Sequence, residues 1–224
     1  MKQRAGRGAV VLIGALLFCP ISPSGAAEDA LARRTYTNAD QLMREGKSDQ
    51  ALREFEQVAN AFPESDVADD AIYRIAAHYY QAESMDKPGG ATPEAMKKAK
   101  ELFTKITSKY PREETAPRAL LKLGLIALDP GNPGRDLDEA YAAFSGVFNI
   151  YPASDVVDRA LFGAGYADFL AARYDKSIGS FIRVAEEFPR GPAAPDARYF
   201  MGLAHARQLE YVRAMEELQT GRDH

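Results

Sequence analysis

A single spaced pattern of small, aromatic and proline residues recurs along this chain and limits what it can fold into. In each copy an alanine or serine precedes a phenylalanine by four residues, an aromatic–proline pair follows, and two further small residues come after the proline. The complete copies are Ala51, Phe55, Phe62, Pro63, Ala71 and Ala76; Ala99, Phe103, Tyr110, Pro111, Ala119 and Gly124; Ala140, Phe144, Tyr151, Pro152, Ala160 and Gly165; and Ser177, Phe181, Phe188, Pro189, Ala197 and Gly202. Matched copies at such a period predict an array of helical hairpins, an architecture that generally provides a binding surface.

The distances between copies set the expected limits of the array. The phenylalanines follow one another after 48, 41 and 37 residues, and a fifth copy begins with Ala214 and Leu218. We therefore expect an all-α solenoid of about five antiparallel hairpins. A repeat domain at residues 28–224 should contain hairpins at residues 35–63, 66–111, 114–152, 155–189 and 192–220.

Each copy predicts two helices that pack through their small residues. In the fourth hairpin, Asp155 is placed to cap the first helix, and a turn near Arg173 leads to a second helix that stops at Pro189. The residues expected on the buried face of that second helix are Ile178, Phe181, Ile182, Val184 and Ala185. The small residues should let helix axes approach, and the repeated phenylalanine should fill the space between hairpins.

The N-terminus has the features of an export signal. A positive segment, an apolar run and a group of small residues follow one another, at Lys2, Arg4 and Arg7, at residues 10–18, and at residues 24–27. The apolar run is too short to span a bilayer as a mature helix. We interpret residues 1–27 as a signal peptide cleaved after Ala26 or Ala27, which predicts a periplasmic protein, with a retained N-terminal anchor as the alternative.

The only cysteine of the chain, Cys19, lies inside this leader. A bacterial lipoprotein signal places a small residue before the lipidated cysteine, whereas Phe18 occupies that position here. Lipidation of Cys19, with membrane contact at the outer membrane, is therefore an alternative to simple cleavage. Cleavage after residue 27 would leave a mature chain without cysteine, which excludes disulfides and thiolate chemistry.

Charge and motifs argue against several classes of function. The chain carries a net charge of −4 at pH 7, and loss of the leader removes three cations and no acid, leaving −7. This balance predicts no nucleic-acid partner, because nonspecific binding needs a basic surface. His78, His205 and His224 do not have the spacing of metal ligands, and no phosphate-binding glycine loop or nucleophile motif is present. We therefore expect a protein that is not an enzyme and binds no cofactor or metal.

The repeated residues resemble the signature of the tetratricopeptide repeat, in which leucine–glycine, alanine, phenylalanine and proline occur at these relative spacings. The resemblance covers residues of about 35–220. The linkers at residues 62–65 and 151–154 are similar to those of bacterial envelope members, in particular the BamD family of outer-membrane assembly lipoproteins and the Tol–Pal-associated YbgF family. The chain departs from the first family at its lipidation motif and from the second in having no N-terminal coiled-coil pattern.

The resemblance implies that the first helix of each hairpin lines a concave groove. The positions three before, one after and four after each mid-helix small residue should face that groove. They are Tyr73, Tyr80, Leu121, Leu125, Leu128, Phe162, Tyr166, Phe169, Tyr199, Leu203 and Ala206, with Tyr36 as the equivalent in the first hairpin. Aromatic side chains offer contact area to an extended or helical peptide, although packing between helices is the competing interpretation for each of them. Arg118, Arg159 and Arg207 could orient an acidic peptide or a C-terminal carboxylate.

Two polar, turn-rich insertions and one basic helix complete the candidate surfaces. Residues 86–93 and 129–134 are expected to be exposed loops. The lysines expected on an outer second helix, as surface charge or as a contact for an anionic partner, are Lys97, Lys98, Lys100, Lys105 and Lys109.

The function that these observations favour is that of a periplasmic adaptor. It would capture segments of partner proteins in the groove, within envelope assembly or cell-division and cell-wall processes. A BamD-like lipoprotein of the protein-assembly machinery is one alternative. An accessory module or fragment of a larger envelope enzyme is another, and self-association through an apolar edge is a third.

Overall fold

The structure is a computed structural model that describes residues 25–81 and 90–208. Within these ranges the chain forms nine α-helices and no strand. The helices are α1 (Gly25–Arg44), α2 (Ser48–Ala61), α3 (Ala68–Tyr79), α4 (Pro93–Lys109), α5 (Thr115–Leu128), α6 (Leu137–Ile150), α7 (Val157–Leu170), α8 (Tyr174–Glu187) and α9 (Ala194–Arg207). They pair in chain order as four antiparallel hairpins followed by α9. The second helix expected for the fifth hairpin, with Ala214 and Leu218, lies outside the described residues.

The helices form two layers, and the contacts between hairpins show which layer is the inner one. Consecutive helices pack against each other along the chain, and α3, α5, α7 and α9 also contact one another in succession. The second helices of the described hairpins make no comparable contacts among themselves. The array therefore curves around its first helices. We call the solvent-facing side of α3, α5, α7 and α9 the inner face.

The turns between hairpins share one geometry, which explains the recurring aromatic–proline pairs. In each turn the residue three after the aromatic donates its backbone N–H to the aromatic's carbonyl, as in Ser65 to Phe62 and Ser154 to Tyr151. The hydroxyl of Tyr110 donates to the carbonyl of Pro63, and that of Tyr151 to the carbonyl of Pro111, both at 2.8 Å. These bonds join the turn after α4 to the turn after α2, and the turn after α6 to the turn after α4.

The packing predicted for the small and aromatic residues is confirmed. Phe55, Phe103, Phe144 and Phe181 are fully buried, as are the alanines and the serine four residues before them. The ring of Phe144 lies so close to Gly124 of α5 that a Cβ added there would sit 2.5 Å from its Cε1 atom. A Cβ at Gly163 of α7 would lie 2.8 Å from the same atom. Phe144 thus fills the space between two consecutive hairpins, and the glycines make room for it.

Several local expectations differ from the structure. Helix α1 begins at Gly25, before the expected repeat start at residue 35. Val156, not Asp155, is the N-cap of α7, because the Asp155 carboxylate bonds to Arg118 instead. Ile182 is 39% exposed, because it lies on the outer side of α8 beside the buried Phe181.

The loop at residues 129–134 was expected to be exposed, but its first residue is buried. The Asp129 side chain accepts hydrogen bonds from the Gly131 backbone and from the hydroxyl of Tyr80, and Asn132 donates to the carbonyl of Ile126. These bonds hold the loop against α3 and α5. The first half of the other insertion, residues 86–89, lies outside the described residues, and Thr92 and Pro93 at its end cap and begin α4.

None of the helices in the two described ranges is both long enough and apolar enough to cross a lipid bilayer.

Candidate protein-binding surface

The residues predicted to line the groove fall into three groups by exposure. Five of them are buried in the core, with at most 8% of their surface accessible: Tyr80, Leu121, Leu125, Leu128 and Phe162. Six are half-buried: Tyr36, Tyr73, Tyr166, Phe169, Leu203 and Ala206. Tyr199 is 50% exposed. The expectation of groove exposure therefore does not hold for the buried five, because consecutive first helices approach closely enough to cover them.

Tyr80 illustrates why a predicted groove residue is part of the core. It lies just past the end of α3 and is 1% exposed. Its hydroxyl lies 2.9 Å from the Asp129 carboxylate and 3.1 Å from the carbonyl of Leu125. Burial, followed by the hydrogen bond to Asp129, raises the pKa of Tyr80 far above its ordinary value. This side chain ties α3 to the loop after α5 and presents almost no surface to a partner.

The predicted aromatic stripe is concentrated at the C-terminal end of the inner face. The ring of Phe200 on α9 lies 5.0 Å from the centroid of Tyr166, 5.5 Å from Phe169 and 5.4 Å from Tyr199. Phe162 and Phe181 lie beneath it at 5.8 and 6.2 Å. We call Tyr166, Phe169, Tyr199 and Phe200 the inner aromatic cluster. The rings meet edge to face, a favourable geometry for aromatic pairs; Tyr199 is exposed, and the other three rings are half-buried.

Phe200 was not among the residues predicted for the groove. It precedes Gly202 by two residues and therefore falls outside the three positions used for the prediction. Its neighbour Tyr199 was among the predicted groove residues. The sequence signal that could have indicated Phe200 is this adjacent pair of aromatic residues on α9, a helix that contacts α7. The rings of Tyr36 and Tyr73 contact Phe55 and Phe103 at 5.3 and 5.5 Å, so they lie further along the array and apart from the cluster.

The arginines predicted to orient an acidic partner differ in their surroundings. Arg118 of α5 forms an ion pair with Asp155 at 3.0 Å, whereas Arg159 of α7 forms none among the described residues. Arg207 is the exposed last residue of α9. Burial raises the pKa of Tyr73, and nearby Arg118 and Arg159 oppose that rise. The two arginines are therefore within electrostatic range of the Tyr73 hydroxyl.

The lysines of α4 do not form a free basic patch, because most of them have partners. Lys100 pairs with Glu139 at 2.6 Å and Lys109 with Glu64 at 3.1 Å. Lys98 donates to the hydroxyl of Tyr79 at 2.7 Å. This pairing favours the interpretation of the lysines as surface charge.

No cluster of histidine, cysteine or acidic residues suited to a metal ion occurs in residues 25–81 and 90–208. His78 and His205 lie on α3 and α9, in different hairpins. His224 and Cys19 lie outside the described residues.

Two shallow depressions lie along the edge formed by the turns between hairpins. One, of about 570 Å³, has Arg33 and Asp66 in its lining; the other, of about 520 Å³, has Arg118, Asp155 and the 65% exposed side chain of Ile150. The charged side chains that line them include ion pairs already formed within the chain, Arg33 with Asp66 and Lys109 with Glu64 in the first and Arg118 with Asp155 in the second. The inner aromatic cluster is therefore the stronger candidate for a protein contact.

Solved structures of tetratricopeptide proteins are similar to this fold. A crystal structure of MamA is 16% identical with a TM-score of 0.63, covering 88% of this chain and 92% of that one. PilF of Pseudomonas aeruginosa is 16% identical with a TM-score of 0.61, covering 88% of this chain and 78% of that one. MamA of Desulfovibrio magneticus RS-1, from residue 41 to its end, is 16% identical with a TM-score of 0.62, covering 89% and 96%.

No protein-family model matches the sequence, and neither does any curated protein. The structural similarity confirms the predicted fold class, an all-α solenoid of the tetratricopeptide type. Solenoids of this type are typically non-catalytic scaffolds that bind other proteins on an extended curved surface.

Proposed function

We propose that this tetratricopeptide-like solenoid is a scaffold that binds segments of partner proteins on its inner face. The observation that carries the proposal is the inner aromatic cluster, Tyr166, Phe169, Tyr199 and Phe200, which lies between α7 and α9, with Tyr199 50% exposed and the other three half-buried. The outer side of the array offers no comparable group of contacting rings within the described residues.

The chemistry of the cluster suits a protein segment. Tyrosine and phenylalanine bury large areas while losing little conformational freedom, so they dominate the binding energy of many protein interfaces. Here each ring is already held by its neighbours, which lowers the entropy that binding must still remove. Tyr199 is half exposed, and its hydroxyl can bond to a peptide backbone while its ring contacts an apolar side chain. A short helix or an extended strand of a partner would lie along this surface.

Photo-crosslinking in the producing cells tests the proposal. A photoreactive phenylalanine analogue at position 199 places the reactive group on the inner face, and the same analogue at position 182 places it on the outer side of α8. Position 182 is a matched control for position 199, because Ile182 and Tyr199 are both large, mainly apolar side chains that are exposed, at 39% and 50%. We expect a reproducible protein adduct from position 199 and none from position 182.

Equal adducts from both positions, or an adduct from position 182 alone, would contradict binding on the inner face. Mass spectrometry of the adduct identifies the partner, and the crosslinked residue shows which segment of it occupies the surface.

The proposed site of action is the periplasm. The support comes from the sequence, namely the positive, apolar and small-residue segments of residues 1–27 and the linkers similar to those of BamD and YbgF. A role in envelope assembly or in cell-division and cell-wall processes follows from that location. A mature chain in the periplasmic fraction that begins at residue 27 or 28 would support it, whereas an uncleaved chain in the cytoplasm would contradict it.

A BamD-like lipoprotein role depends on Cys19. Lipid attachment there would place the scaffold at the outer membrane without changing its inner face. Labelling with a fatty acid that is lost in a Cys19→Ser variant would favour this role over that of a soluble periplasmic adaptor.

A further inference from the structure

The turn between α7 and α8, residues 171–173, repeats the backbone of the turn between α1 and α2, residues 45–47. In each turn two backbone N–H groups donate to the carbonyls three and five residues before them. The bonded pairs are Ala172–Phe169 and Arg173–Asp168 in the first, and Gly46–Met43 and Lys47–Leu42 in the second. The residue with a left-handed backbone is Ala172 in one turn, with φ +57°, and Gly46 in the other, with φ +76°. The side chains of the two turns can therefore be compared position by position.

The α7–α8 turn departs from the α1–α2 turn at two positions, and each departure disfavours the turn locally. Asp168 stands where the other turn has Leu42, and it is 1% exposed. An apolar side chain at such a position is often as stable as a buried ion pair, or more stable. Ala172 stands in place of Gly46, although alanine is disfavoured in the left-handed region. Such a conformation persists where surrounding contacts impose it.

Arg173 supplies contacts of this kind. Its Nε donates to Oδ1 of Asp168 at 2.5 Å, and its Nη1 donates to Oδ1 of Asp138 at 2.7 Å. Asp138 lies on α6, so one guanidinium ties the turn both to α7 and to the preceding hairpin. Lys47, at the same position in the α1–α2 turn, pairs instead with the exposed Glu45 of its own turn. The α7–α8 turn is therefore held by two ion pairs where the other turn has a glycine.

This turn borders the inner aromatic cluster. Phe169 of the cluster directly follows Asp168, and Tyr174 directly follows Arg173. The ring of Phe169 meets that of Tyr174 edge to face at 5.7 Å and that of Phe200 at 5.5 Å. One ring of the cluster is thus flanked by a ring of α8 and a ring of α9, and its surroundings depend on where the turn places the start of α8.

We infer that Arg173, joined to Asp168 and Asp138, positions Phe169 and Tyr174 for partner binding at the inner aromatic cluster. The inference rests on the proposed function and adds to it a positioning residue that acts through the rings beside the turn. Rings that are fixed before binding lose less freedom when a partner arrives. Loosening the turn should therefore weaken partner binding even where the fold stays as stable.

The side chains of the α1–α2 turn provide the test variants. Asp168→Leu removes the buried carboxylate, and partner binding should weaken about tenfold because the left-handed Ala172 is then held less firmly. Ala172→Gly alone should leave the affinity unchanged, because both ion pairs remain. The double variant Asp168→Leu/Ala172→Gly should return to within about threefold of the wild-type affinity, since a glycine turn does not depend on the ion pair. Isothermal titration calorimetry with the partner captured from position 199 measures the affinities, and circular dichroism gives the Tm of each variant.

A measurement without the partner reports the position of the turn directly. Fluorotyrosine incorporated into the protein gives a fluorine NMR resonance for Tyr174, which is assigned by its loss in Tyr174→Phe. We expect this resonance to shift in Asp168→Leu and to return toward its wild-type position in the double variant.

A surface variant tests the same network without touching the core. The side chain of Asp138 is 83% exposed, so Asp138→Asn leaves no cavity. It removes one of the two ion pairs of Arg173 and should weaken partner binding about threefold. The matched control is Asp49→Asn, because Asp49 is the exposed second residue of α2 as Asp138 is of α6, and it should bind as the wild-type protein does.

Full affinity in Asp168→Leu, or an unmoved Tyr174 resonance, would overturn the inference and leave the proposed function intact. A loss of affinity that Ala172→Gly does not rescue would also overturn it, because the effect would not pass through the turn. If Asp168→Leu lowers the Tm, Asp138→Asn decides instead, and unchanged affinity there overturns the inference. If position 199 captures no partner, the proposed function fails and the inference fails with it.

Discussion

Replacement of Phe144 by alanine should lower the free energy of unfolding by about 3–5 kcal/mol. The ring is fully buried and lies between α5 and α7, facing Gly124 on one side and Gly163 on the other. Truncation leaves a cavity, and the flanking glycines have no side chains that could move into it. The loss should therefore fall in the upper part of the range for large-to-small core substitutions. Urea denaturation followed by helical circular dichroism measures it.

The control for this prediction is Tyr141→Ala on the same helix. Tyr141 is 37% exposed, so its removal should cost less than about 1 kcal/mol. Similar losses in the two variants would mean that Phe144 does not hold consecutive hairpins together, and the packing described for the array would be wrong.

The second large effect is that the same substitution, glycine to alanine, should change the stability of the protein in opposite directions at two positions. Gly124→Ala should destabilise the protein by about 1–3 kcal/mol, because the new Cβ would lie 2.5 Å from the Phe144 ring. The ring cannot retreat, since Gly163 of α7 lies against it. Gly179→Ala on α8 should instead stabilise by about 1 kcal/mol, because alanine favours the helix and no atom lies within 4 Å of the added Cβ.

Thermal and urea unfolding of both glycine variants checks this pair. If Gly124→Ala were as stabilising as Gly179→Ala, helix propensity alone would decide the outcome. The small residue of the repeat would then have no steric role.

The hairpins were predictable because their signal is local and repeated. A phenylalanine four residues after a small residue, with a proline beyond it, indicates that two helices pack closely, and this packing occurs in every copy. Four copies at matched positions therefore predicted the pairing of helices and the burial of Phe55, Phe103, Phe144 and Phe181, all of which the structure confirms.

The exposure of the inner face was not predictable in the same way. It depends on how closely consecutive first helices approach, and no single hairpin encodes that distance. Tyr80 is buried because Asp129, 49 residues later, accepts its hydrogen bond. Phe200 joins the aromatic cluster because α9 lies against α7 and α8.

Hydrogen–deuterium exchange of the protein with and without the partner identified by photo-crosslinking tests the central claim, that partners bind on the inner face, most directly. We expect slower exchange on binding in α5, α7 and α9, with α4, α6 and α8 unchanged. Protection confined to the second helices would show that partners bind the outer side of the array and would contradict the account.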